Sequence, residues 1–187
     1  MRKLTVFNHV TLDGYFTDAS GDMSWAHSGG DDPDFQKFTS ENASGDGELL
    51  FGRITYEMMA GFWTTPAAKE SMPAVAEGMN RMRKTVFSRT LASVSWSNTR
   101  LMKGDLLSEV RKMKDEAGPA MVILGSGSIV GPLAGAGLID EYQVIVNPIA
   151  LGKGRTMFGG VKERLQLKLT RSRTFGNGKV FVSYEAA

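Results

Sequence analysis

The 187-residue chain contains no cysteine. That removes disulfides, thiol nucleophiles and thiolate metal ligands from consideration. It has two histidines, His9 and His27, and two without an ordered set of carboxylates do not suggest a metal centre. No G-x-S-x-G elbow is present, so the strand-to-helix nucleophile of the α/β-hydrolases is absent. No apolar run is long enough to span a bilayer, and Met1-Arg2-Lys3-Leu4-Thr5-Val6-Phe7 enters a strand pattern instead of a signal-peptide pattern. The expected location is the cytoplasm. The net charge is only +2 although the pI is 8.9, which gives no field for nucleic acid or a membrane surface. There is no internal repeat, low-complexity tract or linker. Residues 1–187 read as one domain, with 42% hydrophobic residues to build its core.

What the chain does have is one local pattern used twice. Glu48-Leu49-Leu50-Phe51 ends in Gly52 and runs into the helical pattern from Arg53 to Met59. Ala120-Met121-Val122-Ile123-Leu124 ends in Gly125-Ser126-Gly127 and runs into Ser128-Ile129-Val130. A strand that turns into a helix through glycine points free backbone N–H groups, and the positive end of the helix dipole, into one crevice. Two such turns suit a ligand with several phosphates. The second turn has Val130 where a G-x-G-x-x-G fingerprint needs its third glycine, and no Lys-Ser or Lys-Thr follows as in a Walker A loop. Close packing of helix on strand is the competing reading of its glycines.

Around these turns the chain reads as strands separated by helices. Lys3–His9 is the first strand, and Thr11–Asp31 is a long aromatic-bearing loop of the kind that forms lids. Asp32-Pro33-Asp34 starts a helix carrying Phe35 and Phe38 inward. Arg53–Ala60 is a short helix, Phe62–Pro66 a loop, and Ala67–Met82 a weak helix broken by Pro73. Strands follow at Thr85–Ser88 and Thr99–Met102, a helix at Asp105–Ala117 and a buried strand at Met121–Leu124. The next helix holds Ile129, Val130 and Leu133, with Pro132 in its first turn. Tyr142–Val146 is another buried strand. Leu165–Thr174 and Lys179–Tyr184, joined by Phe175-Gly176-Asn177-Gly178, form a closing hairpin. The sum is an α/β fold with a mostly parallel central sheet, helices on both faces and a C-terminal antiparallel β-hairpin.

Three groups stand where chemistry is expected from position alone. Arg53 begins a helix beside a glycine turn, a place that suits an arginine when an anionic ligand lies over the same helix end. Ser88 and Arg89 end a strand, where open α/β sheets bind ligands, and a hydroxyl with a guanidinium is a fitting receptor for a phosphate. Asp13 precedes Gly14, so it is either a turn residue or a hydrogen-bond partner for a substrate amide or hydroxyl. Met58, Met59, Met79 and Met82 lie at near-helical spacings and read as core or an apolar interface.

Six motifs in order resemble the dihydrofolate reductase fold, and more closely the reductase-domain family related to the C-terminal half of the bifunctional riboflavin-biosynthesis deaminase/reductase. They are Thr11-Leu12-Asp13-Gly14-Tyr15-Phe16, Met23-Ser24-Trp25, Gly52-Arg53-Ile54-Thr55-Tyr56-Glu57, Lys84 to Leu91, Gly125-Ser126-Gly127 and Pro148 to Phe158. The resemblance covers nearly the whole chain and implies a three-layer fold and a reductase using NADPH. It implies cofactor contacts from Gly52, Arg53, Thr55, Ser88, Arg89, Gly125, Ser126, Gly127, Ser128 and Ile129. It implies substrate contacts from Asp13, Gly14, Trp25 and Asp34, with Asp34 or Asp13 in the catalytic role. Asp31 and Asp32 compete with Asp34, and helix capping is the alternative for all three. Lys153 and Arg155 are the candidate contacts for a substrate phosphate. The implied substrate is a small heterocycle or a ribosylamino-pyrimidine. Dihydrofolate or pterin reduction, with Arg83 meeting a folate tail, is a rival, and so is a dimeric module that binds nucleotide without turnover. The apolar content is compatible with a homodimer.

Overall fold

The computed structural model describes residues 1–187 except Gly29 and Ser126. In chain order its elements are β1 (Leu4–Thr11), β2 (Tyr15–Thr17), a single 3-10 turn (Ser24–His27), α1 (Pro33–Ala43), β3 (Glu48–Gly52) and α2 (Arg53–Trp63). Then come α3 (Pro66–Ser71), α4 (Pro73–Arg81), β4 (Arg83–Phe87), β5 (Thr99–Met102), α5 (Leu106–Asp115), β6 (Met121–Leu124) and α6 (Gly127–Gly135). β7 (Glu141–Asn147), β8 (Arg155–Thr156), β9 (Leu167–Thr174) and β10 (Val180–Ala186) complete it. Eight strands form one sheet in the order β5-β4-β3-β6-β1-β7-β10-β9. The first six are parallel, and β10 and β9 add on antiparallel. β2 and β8 pair separately. Among the described residues, no helix is long and apolar enough to cross a membrane.

Period-two alternation along the strands decides which helix packs where. Leu4, Val6 and Val10 of β1, Leu50 of β3, and Met121 and Ile123 of β6 face one side, against Val110 and Met113 of α5 and Ile129, Val130 and Leu133 of α6. The other side carries two separate clusters. Leu49, Phe51, Val86 and Val122 meet Tyr56, Trp63 and Met79 of the α2–α4 layer. Ile145, Phe181 and Phe175 take Phe35 and Phe38 of α1. Between these two clusters the second face of β1 and β6 is only partly covered, Val122 and Leu124 packing at one margin and Phe7 at the other. α1 reaches the α2–α4 layer near its C-terminal end, where a Cβ built on Gly78 would lie 2.0 Å from the Ala43 carbonyl oxygen.

Several details depart from the sequence reading. α2 continues through Phe62 to Trp63 because Trp63 is buried beside Tyr56, and tertiary packing outweighs the weak local signal. Pro132 lies inside α6, not in its first turn, where buried Val130, Gly131 and Leu133 hold it. The small β2–β8 sheet was not legible at all, because strands of three and two residues carry no periodicity.

The Gly78 crossing sets the spacing between α1 and α4. Gly78→Ala should cost about 1–3 kcal/mol. A thermal melt should show this as a drop of about 2–4 °C per kcal/mol for a chain of this size. An unchanged melting temperature would mean that the helices separate freely.

Candidate functional site

The partly covered strip of sheet is the floor of a cleft of about 1810 Å³. Its floor includes Thr5, Phe7 and His9 of β1, Leu49 of β3, and Val122 and Leu124 of β6. α1 forms one wall and α2 with α4 the other.

One end is built from the two strand-to-helix turns. Gly52 caps α2 with no side-chain hydrogen bond, and Arg53 and Thr55 line the cleft. Arg53 is half-exposed and leans on Glu57 at 3.8 Å. Gly125 has φ +73°, and a Cβ there would lie 2.9 Å from the Thr55 methyl, so only glycine fits on both counts. Its N–H donates to Asn8 Oδ1 at 2.8 Å, which ties the second turn to β1. A Cβ on Gly127 would meet the Phe16 ring at 3.0 Å. Ser126 lies outside the described residues. Ser128 lines the cleft, whereas Ile129 is buried in the α5–α6 core. Ser88 and Arg89 sit just past the end of β4, beyond Phe87, which lines the cleft. The Ser88 hydroxyl accepts from the Leu91 N–H at 3.0 Å, and Arg89 is exposed.

The other end lies under α1 and the β9–β10 hairpin. Its polar lining includes His9, His27 and Lys179, with Gln36, Thr39 and Asn42 of α1 and Asn177 of the hairpin. Lys179 is 3% exposed, donates to the Ala26 carbonyl at 2.6 Å, and has its Nζ 4.6 Å from the Phe35 ring centre. Burial first, and then the Lys179 and His27 charges, push the His9 imidazole down to about 3. Burial and then Lys179 lower His27, and burial lowers Lys179 itself. The buried Nδ2 of Asn8 has no hydrogen-bond partner among the described residues.

The RibD C-terminal domain family model matches residues 2–181. The chain belongs to that family. Its fold is similar to a protein of Shewanella sp. PV-4 provisionally assigned to riboflavin biosynthesis, with 23% identity, 99% of each chain covered and a TM-score of 0.75. It is similar to a Thermotoga maritima diaminohydroxyphosphoribosylaminopyrimidine deaminase/5-amino-6-(5-phosphoribosylamino)uracil reductase. There the identity is 16%, the TM-score 0.70, and 100% of this chain matches 57% of the larger one. It is also similar to Enterococcus faecalis dihydrofolate reductase in complex with NADP(H), with 14% identity, 98% and 96% coverage and a TM-score of 0.65. The three-layer dihydrofolate-reductase-like architecture expected from the motifs is therefore the architecture found.

In this RibD-family chain Asp13, Asp32 and Asp34 do not line the cleft, and Asp31 reaches only its rim. Asp34 follows the cap instead of facing the floor, and its carboxylate, half-exposed, pairs with Arg173 of β9. Asp32 is the cap, accepting from the Asp34 and Phe35 N–H groups at 2.9 and 3.0 Å, and it also takes the Asn177 N–H of the hairpin. Asp31 is exposed on the cleft rim. Asp13 accepts from the Thr11 hydroxyl at 2.5 Å and the Gly152 N–H at 2.7 Å, with Leu151 N–H beside it, so it locks two turns together. Those bonds, the Thr11 hydroxyl foremost, hold its carboxyl below the usual range. Gly14 takes φ +86° in the first of these turns. Trp25 is buried in the 3-10 turn beside Ala26. Arg83 opens β4 and lines a separate hollow at the amino ends of the strands with Arg2 and Arg100, and it does not line the cleft. Arg155 lines the cleft and Lys153 does not.

Sequence reasoning set His9 aside for want of metal-ligand company and gave Lys179 no role beyond the hairpin. Their signal was topological: His9 is near the carboxyl end of a central strand, and Lys179 is next to it only after β10 pairs with β7.

His9 should stay neutral through the physiological range. Its folded value of about 3 lies below the ordinary 6.5, so between these the unfolded chain binds the extra proton. Stability is then complete above 6.5 and falls with decreasing pH, at about 1.4 kcal/mol per unit from this group alone. An NMR titration that protonates His9 near pH 6 in the folded protein would refute this.

Proposed function

We propose that this chain is an NADPH-dependent reductase of the riboflavin-biosynthesis reductase type, delivering a hydride to a small heterocyclic or ribosylamino-pyrimidine substrate. Residues 1–187 act as one reductase unit in this reading. The observation that carries it is the meeting of two glycine turns, at Gly52 and Gly125, on one cleft. A Cβ at Gly125 would strike Thr55, so backbone and helix ends are brought as close as atoms allow, and that cradle fits a dinucleotide's pyrophosphate.

The chain's residues divide the work. The N-terminus of α2, the Gly125–Gly127 turn and Ser128 hold the pyrophosphate, with Arg53 neutralising charge at the rim. Arg89 and Ser88 receive the 2′-phosphate at the end of β4. NADPH, when bound, supplies the hydride from its nicotinamide. Phe7, Phe35, Leu124 and the lid residue Phe16 exclude water and press the acceptor carbon against the donor. The substrate gains a hydride at carbon and a proton at the neighbouring oxygen or nitrogen. With Asp13 and Asp34 both engaged elsewhere, that proton comes from water entering the cleft.

Pterin reduction is the weaker reading, because the Asp34 carboxylate is paired with Arg173 outside the cleft. Incubating the protein with NADPH and either 5-amino-6-(5-phosphoribosylamino)uracil or dihydrofolate, and following the NADPH absorbance band, separates the readings. Consumption with the pyrimidine alone supports the proposal. Absence of both binding and consumption of NADPH overturns it.

NADPH should bind about tenfold or more tightly than NADH, since a bidentate charge-assisted contact is worth roughly 1.5–3 kcal/mol. Arg89→Ala should erase most of the difference in a fluorescence titration, and equal affinities in the unmodified protein would end the assignment. Asp34→Asn should leave turnover within about twofold, because a positioned acid is worth roughly 10²–10⁴ only where it reaches the reacting group. A loss of that size would return Asp34 to the reaction.

A further inference from the structure

Lys179 is a buried ammonium without a counter-ion among the described residues. It is 3% exposed and lines the cleft, and among the described residues its only hydrogen-bond acceptor is the Ala26 carbonyl, at 2.6 Å. An ammonium has three donors. The carboxylates that line the cleft, Asp22, Asp31 and Asp46, are exposed at its rim and make no ion pair with it. Asp32, next along α1, spends its oxygens on backbone N–H groups of α1 and the hairpin.

The position of the ammonium is fixed. Asp32 grips the Asn177 N–H at 2.9 Å, Asn177 Oδ1 accepts from the Lys179 N–H at 3.2 Å, and the Phe35 ring lies 4.6 Å from Nζ. Phe35 in turn packs edge-on against His9, with ring centres 6.2 Å apart. His9 and His27, both held toward neutrality by burial and then by the Lys179 charge, add no anion. A charge kept in such surroundings is costly unless an acceptor of negative character completes it. Asn8, whose buried Nδ2 has no partner among the described residues, belongs to the Gly125 end of the cleft and supplies no anion either.

We propose that Lys179 determines specificity by anchoring a ring oxygen, a carbonyl or a deprotonated imide, of the heterocycle bound beneath α1. An acceptor-rich ring is admitted there, and a cationic, amino-rich ring of the same size is rejected. This assignment rests on reading the cleft as the reductase site, with the substrate at the α1 end and the cofactor at the glycine turns.

Two isosteric probes test it: barbiturate, which presents three ring oxygens, and 2,4,6-triaminopyrimidine, which presents three amino groups. Calorimetric titration into protein saturated with NADP⁺ should show barbiturate binding about tenfold or more tightly. Lys179→Met, which keeps the side chain's length and apolar stem, should abolish that preference, and Lys179→Arg should retain part of it. Thermal melts and NADPH titrations on both variants check folding. Tighter binding of triaminopyrimidine, or unchanged barbiturate affinity in Lys179→Met, overturns the proposal. If Lys179→Met does not fold, the ordering of the two probes on the unmodified protein decides alone. A protein that binds NADPH but shows no probe preference loses only the Lys179 assignment. A protein that binds no NADPH loses the reductase reading, and the same probes on the cofactor-free protein still decide for Lys179.

Discussion

Everything at this site follows from a central strand that packed helices cover fully on one face only. β1 is bordered on both sides by parallel strands, so its backbone is satisfied and its position is rigid. One face is sealed by α5 and α6. On the other, the core splits: aromatic side chains draw α1 over β7 and β10, while Tyr56 and Trp63 draw α2 over β3 and β4. Apolar floor residues such as Phe7, Val122 and Leu124 are only partly covered by those clusters and present the rest of their surface to the cleft, as apolar ligand sites do.

The two ends of the parallel strands treat polar groups in opposite ways. At their amino ends the charges are fully engaged. Glu48 takes Arg2 at 2.7 Å, Arg100 at 3.0 Å and the Thr85 hydroxyl at 2.6 Å. Glu141 takes Lys3 and Arg171, both at 2.9 Å. Although burial works against its charge, the bonds from Gln143, Ser183, Lys3 and Arg171 win and bring its carboxyl down to about 2. Lys84, as deeply buried as Lys179, spends its ammonium on the carbonyls of Met79, Asn80 and Met82. Those networks belong to stability. At the carboxyl ends, Asn8 and Lys179 keep donors in reserve, and groups of that kind are the ones a ligand engages.

The fold was largely legible because its signals were local and repeated. The continuous apolar run Met121–Leu124, the capping Asp105 and Asp32, and the two strand–glycine–helix turns each carry their meaning within a few residues. The glycine-turn end of the cleft was legible for the same reason, since Gly52 and Gly125 announce a backbone approach wherever they sit. The α1 end was not. Asp34 reads identically whether it faces the floor or turns to Arg173, and that choice depends on a partner 139 residues away in β9. Asp13 similarly depends on Leu151 and Gly152.

That asymmetry has a physical source. A backbone phosphate cradle needs only the right turn geometry, which short sequence dictates. A substrate pocket needs side chains from distant strands to converge, and their identity says little until the sheet order is known. Lys179 illustrates the point. In sequence it directly follows a Gly-Asn-Gly hairpin turn and opens the last expected strand, an ordinary place for a solvated lysine. In the sheet, β10 lies against β7, which lies against β1, and the Asp32 clamp draws the hairpin down on α1. The same lysine is thereby buried over the cleft beside Phe35, and burial turns an unremarkable surface charge into an ammonium with donors to spare at the α1 end.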